Sequence, residues 1–253
     1  MVEGLPVIVK VEEFYDGCAL GKQQQSTFPR VANYRADKAL DLFHIDLCGQ
    51  IRPITPGGKS YFLLIVDDYS RFMWVEHLAT KDEAFRCFKR VKTLAETERS
   101  YKLRAFCSDR GGVFNSIKFR EYCDEQGMKH FTTTPYTPQQ NGVVVRRNQT
   151  VVDMARCLLK SKGLLGEFWG EAVSTTVYLL NRTPTKSLQG RTPYEAWHKR
   201  NPNVQHLRTF GCVVHVKKLG PAVTKLSDRS TSMVFIGYEA GTKGYRVYDP
   251  VAN

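Results

Sequence analysis

The chain has no run of eighteen or more apolar residues, so nothing in it reads as a membrane-spanning helix. Acids are scarce relative to bases, with 25 Asp and Glu against 37 Lys and Arg, a formal charge of +12. A surplus of that size favours a polyanionic partner, because each phosphate neutralised releases counterions. The seven cysteines are odd in number and scattered, and no two stand at the Cys-x-x-Cys spacing. That argues against a disulfide framework and against a thiolate zinc site of that pattern. The opening Met1–Lys10 is too short and too poorly flanked for a secretory signal. An intracellular, reduced protein is expected, and the glycosylation-like triplets Asn148-Gln149-Thr150 and Asn181-Arg182-Thr183 read as chance.

What is present is a succession of short apolar runs and amphipathic stretches, and 253 residues hold one ordinary domain plus smaller appendages. Strands are expected over 39–47, 60–66 and 72–78, with Asp67-Asp68-Tyr69-Ser70-Arg71 as a tight connection. Adjacent acids on a strand point to opposite faces, so Asp67 and Asp68 are read as turn residues and not as partners for one ion. A helix over 80–99 opens on a Thr80/Glu83 capping box. A strand over 103–108 then delivers Asp109. A helix over 115–126 ends at Gly127, a strand covers 128–132, and a proline-containing loop covers 133–141. Long helices are expected over 142–160 and 163–180, and a short one over 192–197 with Pro193 in its first turn. From residue 207 onward three strands alternate with glycine-rich turns, at 210–216, 233–238 and 244–249.

One acid stands out. Asp46 lies inside the apolar run Leu40, Leu42, Phe43, Ile45, Leu47. A carboxylate in such a strand is costly to bury unless it is paired or bound to a metal; the alternative on the residues alone is a place on a solvated strand face.

His44-Ile45-Asp46-Leu47, Cys107-Ser108-Asp109-Arg110-Gly111-Gly112 and the run from Thr137 to Asn148 resemble the active site of a retroviral-type integrase, of the branch found in copia-type LTR retrotransposons. The Leu180-Asn181-Arg182 and Thr192-Pro193-Tyr194-Glu195-Ala196-Trp197 runs resemble the same family, and the likeness extends over nearly the whole chain. It implies an α/β, ribonuclease H-like catalytic core over 31–205, followed by a small SH3-like β-barrel over 206–253 that lacks a final strand. Residues 1–30 resemble a remnant of the zinc-binding module that precedes the core. There Tyr15 stands where a cysteine belongs and Cys18 is the only thiol. No zinc is expected, since one cysteine cannot supply four ligands. The chain reads as cut down at both ends.

In that family three acids, Asp, Asp and Glu, hold divalent metal for DNA strand transfer, the last two separated by thirty-five residues. Asp46 and Asp109 match the two aspartates as catalytic residues and metal ligands. Counting from 110 to 144 gives thirty-five, so the glutamate belongs at 145, where this chain has Val145. Valine offers no lone pair. The next acid on that helix, Asp153, is roughly 12 Å further along its axis. Asn148, one turn from Val145, is a neutral oxygen donor. The resemblance thus implies a polynucleotidyl transferase binding Mg2+ or Mn2+ weakly and impaired in catalysis. The alternatives are a transferase that works with two carboxylates, and a non-catalytic nucleic-acid-binding remnant or domesticated protein. DNA contacts are expected from Gln139, Gln140 and Asn141 on the loop and from Arg146, Arg147, Asn148 and Arg156 on the helix. The implied partners are element ends and target DNA, and a second copy of the chain in a homo-oligomer. Nuclear residence would follow from a DNA substrate.

Overall fold

The computed structural model describes residues 36–109, 112–132, 142–218, 227–239 and 241–251. The expected zinc-module remnant, Cys18 and the loop carrying Gln139, Gln140 and Asn141 lie outside them. Five strands build the main sheet: β1 (Phe43–Gly49), β2 (Tyr61–Asp67), β3 (Met73–Leu78), β4 (Ala105–Ser108) and β5 (Lys129–Thr132). Their spatial order is β3-β2-β1-β4-β5. The first three pair antiparallel, and β1–β4 and β4–β5 pair parallel. The helices are α1 (Ala84–Arg99), α2 (Ile117–Glu125), α3 (Gly142–Ser161), α4 (Trp169–Arg182) and α5 (Pro193–His198). Three strands, helix, strand, helix, strand and helix follow one another as expected.

A strand buried on both faces should be apolar throughout, and β2 is. Leu63 and Ile65 pack on one side with Phe43, Ile45, Phe88, Val91, Phe119 and Trp197, under α1, α2 and α5. Phe62, Leu64 and Val66 pack on the other with Val144, Val151 and Ala155 of α3 and Trp169, Ala172, Val173 and Val177 of α4. The sheet is therefore the middle of three layers.

A second sheet, β6 (Val213–Lys217), β7 (Ser230–Tyr238) and β8 (Tyr245–Tyr248), is antiparallel in the order β6-β7-β8. It seats on α4. Tyr178 and Tyr238 stack at 4.2 Å between ring centroids, and the Arg246 guanidinium grips both oxygens of Glu171 at 2.7 and 2.9 Å. Gly237 lies against Thr175, and a Cβ there would come 3.1 Å from its hydroxyl at a φ of +153°.

Several expected boundaries move, each for a local reason. Strand β1 starts at Phe43 instead of Ala39, because residues before it turn: Asp41 Oδ2 accepts from Lys38 N, and Asp67 Oδ1 accepts from Leu40 N. The Thr80 capping box does not form. Glu83 reaches back to Ala79 N at 2.9 Å, Thr80 makes no cap bond, and a short 3-10 turn, Lys81–Glu83, precedes α1. Residues 163–165 are not helical, since Gly163 at a φ of +61° closes α3, and a 3-10 turn, Gly166–Phe168, leads into α4. Strand β4 is shorter than expected, and β6 begins at Val213 instead of Phe210, whose ring is buried in the core. The Thr192 cap and Pro193 start of α5 are as expected, with Glu195 N donating to Thr192 Oγ1.

Asn181 and His77 complete the β3 side of the sheet. Asn181 takes the place of a further strand there, its Oδ1 accepting from Met73 N at 2.9 Å and its Nδ2 donating to Met73 O at 2.8 Å. Asn181→Ala should cost about 2–4 kcal/mol in urea unfolding, since it orphans two buried backbone groups. His77 is wedged beside Trp169, and burial pushes its pKa down to about 4. The folded state thus refuses a proton that the unfolded chain accepts below about pH 6.5. Stability present above that value is lost as pH falls toward 4. Between pH 7.5 and 4.5, wild type should lose about 2–3 kcal/mol more than His77→Gln.

Candidate active site

The site is set by strand register. In the parallel pairing of β1 with β4, Phe43 lies opposite Phe106 and His44 opposite Cys107. Carried two residues further, that register brings Asp46 abreast of Asp109, at the end of β4. Side chains alternate along β1: Ile45 joins the core under α1, so Asp46 faces the opposite layer, where α3 lies.

Helix α3 presents Val144, Val151 and Ala155 to the sheet as its buried stripe. Asn148 falls in that stripe and is 7% exposed. Its Nδ2 donates to Asp46 Oδ2, which ties the helix to the strand at the site. Its Oδ1 has no hydrogen-bond partner among the described residues. Val145, one turn earlier, sits at the margin of the stripe and is 40% exposed.

Burial raises the Asp46 pKa, the Asn148 amide opposes that rise, and the nearby Asp109 carboxylate adds to it. Asp46 therefore carries a charge that is partly desolvated and faces another of the same sign. Such a pair suits a divalent cation, and carboxylate oxygens are the hard donors that magnesium or manganese prefers. Among the described residues no group of three or more His, Cys, Asp or Glu is placed to hold a metal ion. The two aspartates fit as an anchor for a cation, with no third carboxylate beside them at position 145.

The other acids nearby are committed elsewhere. Asp67 accepts from Ser70 N at 2.8 Å and Ser70 Oγ at 2.6 Å, closing the turn after β2. Burial pushes Asp68 up, but the bond from His44 and the Arg71 guanidinium at 2.8 Å outweigh it and hold the carboxyl at about 2. Asp68 lies in the turn, as expected, while Asp67 is the last residue of β2 and closes that turn with its side chain. Asp153 pairs with Arg156 on the exposed side of α3 at 2.8 Å.

The expected DNA-contacting side chains diverge in placement. Arg146 and Arg156 are exposed. Arg147 is half-buried, reaches Thr185 Oγ1 at 3.4 Å, and has its pKa lowered by burial and by the charge of Arg71. Asn148 is turned inward onto Asp46. Sequence reasoning placed Asn148 only one turn from position 145. Its a/d-like spacing from Val144 and Val151 was the available signal that it faces the sheet.

Because the β1 acid faces a like charge, Asp46→Asn keeps an acceptor for Asn148 while removing the repulsion. In chelator-treated protein this variant should melt above wild type, because burial first and the Asp109 charge second disfavour the ionised Asp46 carboxylate. Millimolar Mn2+ should erase the difference by stabilising wild type alone.

Residues 36–138 match the integrase core domain family and residues 211–253 the retroviral polymerase SH3-like domain family. The chain is 41% identical over 238 residues to the retrovirus-related Pol polyprotein from transposon TNT 1-94 of Nicotiana tabacum, a match covering 93% of this chain and 18% of that one. It is 32% identical over 229 residues to the Pol polyprotein from transposon RE2 of Arabidopsis thaliana, covering 90% of this chain and 15% of that one. The chain thus spans under a fifth of the length of these curated relatives. In fold it is similar to the HTLV-2 integrase catalytic core domain, solved in complex with magnesium in a trimeric form. There the TM-score is 0.50 and the identity 20%, with 65% of this chain and 100% of that one covered. It is also similar to a chain of the simian T-cell lymphotropic virus intasome, solved with the PP2A regulatory subunit B56 gamma. There the TM-score is 0.57 and the identity 15%, covering 89% and 82% of the two chains. With its ribonuclease H-like sheet and the three-stranded sheet that follows, the chain is an integrase core joined to a retroviral SH3-like domain, in the arrangement of Ty1/copia-type retrotransposon Pol polyproteins.

Proposed function

We propose that this integrase core serves DNA integration by metal-dependent strand transfer, through a site reduced to two carboxylates and therefore impaired in catalysis. The observation that carries the reading is the β1–β4 register, which sets Asp46 abreast of Asp109 under α3. Asp46 and Asp109 would hold Mg2+ or Mn2+. When bound, such cations activate the attacking oxygen and stabilise the leaving oxygen of a phosphoryl displacement. In this chain the two aspartates supply the anionic donors, α3 covers one side of them, and Val145 supplies nothing to a second cation.

DNA binding does not depend on Val145. Exposed Arg146 and Arg156 flank the site on α3 and suit backbone phosphates. Gln139, Gln140 and Asn141 precede the helix in sequence and belong to the same reading. The formal charge of +12 supports a polyanionic partner and a steep salt dependence. Assembly as a homo-oligomer on DNA is part of the proposal, by analogy with the trimeric HTLV-2 core and the simian T-cell lymphotropic virus intasome.

A strand-transfer and nicking assay with Mg2+ or Mn2+ tests this on wild type and Val145→Glu. The variant should exceed wild type by on the order of 10²–10³, the loss typical when one charge-stabilising group is removed. Equal activity would mean that position 145 is not the place of the third donor.

A further inference from the structure

The structure leaves one buried polar atom at the site unexplained. Asn148 Oδ1 lacks a hydrogen-bond partner among the described residues, in a side chain 7% exposed. An orphaned buried carbonyl forfeits its hydration with nothing in return, and such atoms call for an explanation, an absent ion among them. The companion nitrogen of the same amide donates to Asp46 Oδ2. Both heteroatoms hang on one carbon, so Oδ1 lies within about 2.3 Å of that nitrogen and beside the Asp46 carboxylate.

We propose that the Asn148 carboxamide is the third oxygen donor of the Asp46–Asp109 site, taking up part of the role for which position 145 has no carboxylate. The inference rests on the reading that these two aspartates hold a divalent cation. In the free protein Asn148 Nδ2 occupies Asp46. Nδ2 keeps that bond, and the lone pairs of Oδ1, which has no hydrogen-bond partner among the described residues, are left for a cation held by the same carboxylate. Amide oxygens are accepted donors for hard cations. Val144, Val151 and Ala155 are buried against the sheet on the turns before and after Asn148, so the helix cannot rotate the amide away. Asn148 is a neutral donor, so the site carries two negative charges where a three-carboxylate site carries three. It binds more weakly than such a site without being empty of a third ligand.

Binding of Mn2+ by the full chain, followed by isothermal titration calorimetry with no DNA present, tests this. Asp46→Asn should abolish binding. Asn148→Leu should weaken it at least tenfold, and the nearly isosteric Asn148→Asp should tighten it at least tenfold. If Asp46→Asn leaves binding unchanged, the cation is not held by the aspartates and both readings fall. If Asp46→Asn abolishes binding while both Asn148 variants stay within twofold of wild type, the aspartate site stands and the role of Asn148 is overturned. That role is overturned equally if wild type binds nothing while Val145→Glu binds. Thermal melts establish folding, and should Asn148→Leu fail to fold, Asn148→Asp decides alone.

Discussion

Two carboxylates held side by side in a sheet covered on both faces are the constraint on which the structure turns. Asp46 is partly desolvated, and the Asp109 charge adds to the rise in its pKa. The pairing of β1 with β4 fixes their separation, and that pairing persists because Phe43 and Phe106 are fully buried in the same cluster as Phe88 and Phe119. Rings of α1, α2 and β4 meet edge to face or tilted at about 5 Å, an arrangement that favours one register over its neighbours. A slip of one residue would turn Asp46 into that aromatic core and Ile45 toward α3.

The layer on the other face does a different job. Helix α3 brings a polar group to the acids, while α4 carries the three-stranded sheet. The Tyr178–Tyr238 stack, the Glu171–Arg246 pair and the close approach at Gly237 join the second sheet to the same helix that closes the edge of the first through Asn181. A perturbation of α4 is therefore felt in both sheets.

Much of this was legible in the residues. The apolar runs marked β2 and β3 to within a residue, and β2 most plainly, because a strand buried on both faces leaves an unbroken hydrophobic signal. Thr192-Pro193 announced α5 through cap chemistry alone. Asp46 drew attention as an acid within an apolar strand, and the strand register sets it abreast of Asp109. The sheet order needed the family resemblance, since periodicity does not say which strand lies beside which. What the residues hid was the competition for partners. The Thr80 cap lost because Ala79 N offered Glu83 a better target, and residues 163–165 stayed out of α4 because Gly163 was already ending α3. Asn148 read both as a neutral oxygen donor one turn from Val145 and as a DNA contact, yet only the rotation of α3 against the sheet shows that it faces Asp46.

The most direct test of the shared acid site is paramagnetic broadening by Mn2+ in 15N-correlated spectra of the labelled chain. The account predicts loss of signal centred on residues 45–47 of β1 and 108–109 at the end of β4, spreading to Asn148 on α3. Broadening centred instead on the Asp67–Arg71 turn, or spread over surface acids with no focus, would contradict it.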